Sequence, residues 1–353
     1  MKSRIRRASI WGGKQPMREP ASVLQEAEEC LVKLKSYAPK PLDSVPAIRN
    51  SFVSFGRSYY SLAALSRRKV LAVDVRAAAM DRLFALRSLL EKQMLAGLKC
   101  SAPNTNVLGY ALKSGFFGKS IKQGVSIRFP LATCVPTTLC GGRCYAHDGR
   151  DRDLQRVFRG VLNWYVADVY ENGDDITKCA VMEALSNSIN DAIAAAQAEC
   201  RLVASQGYSR RPRIRFSHVG EMASAPNFTQ ALAKEVRRRA PEVACVIYTR
   251  HPSAKLLIGD ELIVNFTVDG KDDSRVELKP RGARLVSSSW DGKLVEEAEI
   301  NFLEHHVEKS SKPTGQGQCC PVTLNHHVTP SCDSARCEKC FVPAAKQLPR
   351  QLI

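Results

Sequence analysis

Acidic residues are scarce where the chain begins. Residues 1–130 hold 8 Asp and Glu against 23 Lys and Arg, so most of the formal net charge of +17 lies there. Such an imbalance says nothing about fold. It points to a polyanionic partner, nucleic acid before an anionic membrane surface, or to a solvated basic face that keeps the protein in solution. Long apolar runs are missing too. No stretch approaches the roughly 18 residues needed to span a bilayer, so no membrane partner is expected. The basic opening "MKSRIRRASIWGGKQPMREP" has no apolar h-region of a secretory signal. The expected location is the reducing cytoplasm, where clustered cysteines are more often metal ligands or catalytic groups than disulfides. The rest is ordinary for a folded chain: 353 residues, 44% hydrophobic and 25% charged, enough for one large core or a core with a smaller domain.

Residues 1–20 read as a flexible basic arm and 21–115 as a basic helical region. "SVLQEAEECLVKLKSYA" and "RRKVLAVDVRAAAMDRLFALRSLLEKQMLAGL" carry apolar residues at helical spacing. The Pro-rich "PKPLDSVPAIRN" between them reads as a loop. Arg67, Arg68, Lys69, Arg76, Arg82, Arg87 and Lys92 are expected on a solvated or polyanion-facing side. Tyr59, Tyr60, Phe116 and Phe117 are either base-stacking or core residues.

From about residue 116 to 310 short β-rich runs alternate with helical or loop segments. Six strands are expected: Val125–Leu131, Arg213–Gly220, Val243–Thr249, Leu262–Val268, Ala283–Trp290 and Glu299–His305. Helices are expected at 153–171 and 178–203 and in "NFTQALAKEVRRRA". Strand–helix–strand alternation predicts an α/β fold of about six parallel strands, an incomplete (β/α) barrel or an open α/β sheet, of which the barrel is the one expected. Ligands then sit at the C-terminal strand ends. Polar residues gather there: Ser217, His218, Gly220 and Glu221 after the second strand, Thr249, Arg250 and His251 after the third, and Asn265, Thr267, Asp269 and Lys271 around the end of the fourth. "SSSWDGK" closes the fifth. Their repetition predicts a polar pocket.

A cysteine loop follows the first strand. Cys134, Cys140 and Cys144 stand within 11 residues, spaced Cys-x5-Cys-x3-Cys. Three thiolates hold either a zinc with a fourth ligand, for which His147 is the candidate, or a [4Fe–4S] cluster with one iron open. The spacing matches no zinc-finger knuckle, and Gly141 and Gly142 let the loop wrap something bulky. A second cluster fills the tail, residues 311–353: Cys319, Cys320, Cys332, Cys337 and Cys340, with His326 and His327. Cys337-x2-Cys340 is a metal knuckle; with Cys332 and one of Cys319 or Cys320 it closes a four-ligand set for zinc or a second Fe–S cluster. Cys30, Cys100, Cys179, Cys200 and Cys245 read as packed thiols.

Taken in order, "FPLATCVPTTLCGGRCYA", "RIRFSHVGEM", "PEVACVIYTRHP", "NFTVDG" and the terminal "CP…C…C..C" resemble the phage and plasmid "gene product 88" family, and more distantly the phage three-Cys-motif proteins. The resemblance covers about residues 105–341 and favours Cys320, which precedes Pro321, as the fourth terminal ligand. The arrangement also resembles the radical S-adenosylmethionine (SAM) core. There a three-cysteine loop after the first strand binds [4Fe–4S], and a Gly-Gly-Glu-like motif after the second receives the methionine amino group. Val219-Gly220-Glu221 occupies that place, although the cysteine spacing of five and three departs from the usual three and two. The resemblance implies an Fe–S, radical-SAM-like enzyme, and the basic charge adds nucleic acid or a nucleotide as its expected substrate. Glu221, Arg250 and Asn265 would be its catalytic groups, and Ser217, Gly220, Glu221 and Asn265 its cofactor contacts. The alternatives are a non-catalytic, zinc-stabilised nucleic-acid-binding protein and a non-radical base-modifying enzyme on a similar barrel. Glu221 also fits a simpler role, an acid capping the helix that follows it.

Overall fold

A computed structural model describes residues 19–36, 38–66, 68, 70–99, 104–120, 124–136, 146, 153–270, 273–289, 293–303 and 340. The expected basic arm, but for its last two residues, and nearly all of the cysteine-rich tail lie outside them.

Two compact units divide the chain, one of residues 1–38 and 51–90, the other of 39–50 and 91–353. Three helices supply the first: α1 (Pro20–Ser36), most of α2 (Val45–Leu65) and most of α3 (Val73–Lys99). On α1 the buried residues Val23, Ala27, Leu31 and Leu34 form one stripe, and Arg82 pairs with Glu28 at 3.4 Å. Helix α2 was not expected. It begins inside the Pro-rich segment, with the Ser44 hydroxyl accepting from the Ala47 N–H at 3.3 Å. Pro46 stands in its first turn, where the missing N–H has no intrahelical partner to lose. The basic side of the third helix is also corrected. Arg87 is 2% exposed, Arg76 and Arg82 are half-buried, and of the seven basic residues Lys92 is the one exposed among those described. Tyr59 and Phe116 are core, Phe117 is half-buried and edge-on to Phe116, and Tyr60 lies at the surface.

The second unit is built on a seven-stranded sheet in sequence order. Its strands are β1 (Phe117–Ser120), β2 (Gly124–Arg128), β3 (Arg213–Val219), β4 (Ala244–Thr249), β5 (Leu262–Val268), β6 (Arg284–Ser289) and β7 (Ile300–Leu303). β1 pairs antiparallel with β2; every other neighbour pair is parallel. The chain is therefore mixed α/β with a mostly parallel sheet, which does not close among the described residues. All six expected strands are present within a few residues; the hairpin strand β1 is additional. β2 stops before Pro130, which lacks the N–H that a ladder needs. Strands buried on both faces explain the nearly unbroken apolar runs of β4 and β5.

Helix α4 (Thr105–Lys113) precedes the sheet, its N-terminus capped by Asn104. The crossover from β2 to β3 uses α5 (Leu154–Asn172), α6 (Asp175–Ala184) and α7 (Ser186–Ala204). That from β3 to β4 uses α8 (Pro226–Arg239), which starts on a proline and buries Phe228, Leu232, Ala233 and Val236. After β4 the links shrink to short 3-10 turns, Pro252–Leu257 and Ser274–Leu278. No described helix is long and apolar enough to cross a membrane.

Candidate functional site

The chain between β2 and Cys134 is held at almost every residue. Asn163, fully buried on α5, donates through Nδ2 to the carbonyls of Arg128 (3.1 Å) and Phe116 (2.8 Å). The Phe129 N–H donates to the Val219 carbonyl at 2.7 Å. Leu131–Thr133 then form a 3-10 turn, closed when the Cys134 N–H donates to the Leu131 carbonyl at 2.9 Å. Cys134 is half-buried.

β3 ends against that stem. The β2–β3 ladder matches Ser126 to Arg215 and then Arg128 to Val219, so Phe216, Ser217 and His218 face Ile127 alone. This bulge places Ser217 at φ +57, the one described non-glycine residue in the left-handed region. The strain is met locally, because the Ser217 hydroxyl accepts from the Met222 N–H at 2.7 Å. Gly220 follows at φ +74, and a Cβ there would stand 2.5 Å from the Phe129 carbonyl carbon and oxygen and 2.6 Å from the Pro130 oxygen. Only glycine permits both the turn and this approach. The next N–H, that of Glu221, donates to the Thr133 hydroxyl at 2.8 Å.

Glu221 is 6% exposed and is not a helix cap. Its side chain makes no capping bond to the 3-10 turn Met222–Ser224. Instead Oε1 accepts from the Arg250 N–H at 3.3 Å, while Oε2 is buried without a hydrogen-bond partner among the described residues. Burial pushes its pKa up to about 7, against the smaller lowering effects of the Thr249 hydroxyl, the Arg250 N–H and the Arg250 charge. The second oxygen is taken out of water with no partner among the described residues, a cost that a bound donor would offset.

The ends of β4 and β5 complete the constellation. The Arg250 guanidinium lies on Asp269, at 3.0 Å from Oδ1 and 2.9 Å from Oδ2. Arg275 reaches Asp269 at 3.6 Å and Asp273 at 2.7 Å, and that neighbour holds the Asp273 carboxyl down to about 2 in spite of its burial. Asn265 is fully buried; its Nδ2 donates to the Cys340 carbonyl at 3.2 Å and its Oδ1 has no partner among the described residues. The strand register puts Tyr248, Asn265 and Arg284 in one row, with Arg215 stacked over the Tyr248 ring at 4.7 Å. Cys340 packs on the same sheet face, among Val246, Val286 and Ile300.

Of the expected site residues, the fold thus gathers Ser217, Gly220, Glu221 and Arg250 around the Cys134 stem, and joins Asn265 to Cys340. Cys140, Cys144, His147, Cys320, Cys332 and Cys337 lie outside the described residues. Among the described residues no three His, Cys, Asp or Glu side chains converge on a metal position. Cys245 is a packed thiol as expected, its pKa raised by burial to about 12, and Cys200 donates to the Arg210 carbonyl. Cys179 differs, being exposed. Sequence reading missed Thr133, Asn163 and Glu91, whose roles come from contacts between distant segments. No family model, curated protein or solved structure matches the chain.

Proposed function

We propose that the protein is an Fe–S, radical-SAM-like enzyme related to the gene product 88 family, on a partial (β/α) barrel, acting on nucleic acid or a nucleotide. The observation that carries this reading is Glu221: a buried carboxyl with one oxygen that has no partner among the described residues, attached through its own N–H to the residue before Cys134. Cys134, Cys140 and Cys144 would hold the [4Fe–4S] cluster. Three thiolates suit three irons, and the Gly220 cradle brings the Gly-Glu turn against the backbone that leads to them. When bound, a cluster with one open iron supplies the electron and the coordination position that activate SAM.

The chain's own groups bind and orient. The orphaned Glu221 Oε2 is an acceptor for an ammonium group, and with its pKa near 7 this carboxyl takes up or yields a proton at working pH. Arg250 fixes Glu221 through its N–H and is itself fixed by Asp269. The unsatisfied Asn265 Oδ1 offers a second buried acceptor. Cys320, Cys332, Cys337 and Cys340 would hold zinc or a second Fe–S cluster. Metal there supplies folding free energy, and Asn265 connects it to the sheet. The net charge of +17 favours a polyanionic substrate.

The test is equilibrium binding of SAM to protein prepared without oxygen. Wild type should bind, and Glu221→Gln should bind at least about tenfold more weakly through loss of the charged acceptor. Equal affinity in the two proteins, or no binding by either, rejects the reading. The second reading, a zinc-stabilised nucleic-acid-binding protein without catalysis, rests on the Cys337-x2-Cys340 knuckle and the basic charge; it predicts zinc alone and no SAM binding.

A further inference from the structure

Helix α3 brings a single acid to the cysteine stem. Glu91 belongs to the same compact unit as the sheet and is 0% exposed. Its Oε2 accepts the backbone N–H of Ala132 at 2.9 Å. Ala132 stands two residues before Cys134, in the middle of the 3-10 turn. The neighbouring residue, Thr133, is held by the Glu221 N–H. The turn that presents Cys134 is therefore bonded by two glutamates, one through its side chain and one through its backbone.

For packing alone a buried acid is costlier than an apolar side chain. Leu90, Met94 and Leu98 show what the same end of α3 uses elsewhere to fill its core, and each is no more than 2% exposed. A carboxylate is taken out of water at a cost of several kcal/mol unless it is bonded inside. The N–H that it accepts is one that a 3-10 turn leaves without an internal partner. Asn163 and Gly160 of α5 and Gly220 after β3 fix the stem further back, at Arg128, Phe129 and Pro130. Of these contacts the Glu91 carboxylate reaches closest to the first cysteine from outside the strand-end motifs.

We propose that Glu91 is a positioning residue for Cys134: its carboxylate fixes the turn at Ala132 and so sets how that thiol is presented. This deepens the cluster reading and rests on it only where metal is measured. The bond itself belongs to the metal-free protein.

Three full-length variants test it. Glu91→Gln keeps an acceptor oxygen, Glu91→Met fills the volume without one, and Leu98→Ala damages the same helix away from the turn. Amide hydrogen exchange over residues 131–134 is read in metal-free protein, together with the alkylation rate of Cys134. Glu91→Met should speed both about tenfold, the effect of one lost internal hydrogen bond, with Glu91→Gln staying within about threefold of wild type. Leu98→Ala should leave both unchanged at an equal loss of global stability. If Glu91→Met and Leu98→Ala speed exchange alike, or if Glu91→Gln behaves like Glu91→Met, Glu91 is only a core residue and the proposal fails. Should Glu91→Met not accumulate, Glu91→Ala is read against the same criteria. Iron release to a chelator, measured in protein loaded without oxygen, should follow the same order. A wild type that takes up no iron sinks the enzyme reading, and the exchange result still decides the role of Glu91.

Discussion

The backbone N–H of Glu221 donates to the Thr133 hydroxyl over 2.8 Å, and that hydroxyl donates onward to the Pro130 carbonyl at 2.7 Å. One threonine thus joins the turn after β3 to the turn after β2, two segments 88 residues apart in the chain. Replacing it tests whether the two turns act as one site. Thr133→Val keeps the shape and removes both bonds, stranding a part-buried N–H, which costs about 1–3 kcal/mol. Thr133→Ser should restore most of that. Denaturant midpoints at constant slope are the measure; a neutral Thr133→Val would mean that the two turns are independent.

Gly220 and Gly207 separate backbone conformation from space. Both have positive φ, +74 and +78, but a Cβ at Gly207 meets nothing within 4 Å, whereas at Gly220 it meets the Phe129 backbone at 2.5 Å. Gly207→Ala should therefore cost only the left-handed penalty, roughly 1–2 kcal/mol. Gly220→Ala should cost at least twice as much, since the stem must move. Thermal melts of the two variants side by side give the comparison, and equal losses would refute the close approach.

Glu221 makes stability depend on pH in an unusual direction for an acid. Its folded pKa of about 7 lies above the ordinary value of 4.5, so between those limits the folded protein keeps a proton that the unfolded chain has released. Stability from this group is complete below pH 4.5 and is lost as pH rises through 7, by about 3 kcal/mol in all. Glu221→Gln removes the titration. In metal-free protein the variant should gain stability relative to wild type between pH 5 and pH 8. A difference that stays constant over that range would show that the carboxyl is not buried as described.

The strands were legible because parallel strands buried on both faces leave nearly continuous apolar runs, as in Leu262–Val268, whose limits the sequence marks without ambiguity. β1 was not, because Phe117–Ser120 is short and carries no alternation. Helix α2 was hidden by Pro46, which is compatible with a first turn but reads as a breaker. In the site, Glu221 and Arg250 were visible as polar residues at strand ends, and Gly220 as part of the Gly-Glu pattern. Arg87 and Glu91 were not. On a helix rich in charge an acid or a base reads as solvated, and only packing against distant segments reveals that it is buried. The bulge at Ser217 is likewise a property of pairing between strands, absent from either strand alone.

The basic N-terminal region carries the expectation for nucleic acid. Binding of a labelled oligonucleotide should weaken steeply as salt rises, because phosphate contacts release counterions. Removing residues 1–20 should weaken it modestly and make the salt slope shallower. Binding that is absent at low salt, or indifferent to salt, would leave the +17 charge as a solubility feature and point to a small-molecule substrate.

Metal and sulfide analysis of protein purified without oxygen tests the central claim most directly. The account predicts a brown protein absorbing near 400 nm, holding iron and acid-labile sulfide, in a range expected of Fe–S proteins. Replacing Cys134, Cys140 and Cys144 together with Ala should remove one cluster's worth of iron and leave the terminal site filled. A wild-type protein that contains zinc alone, without iron or sulfide, would contradict it.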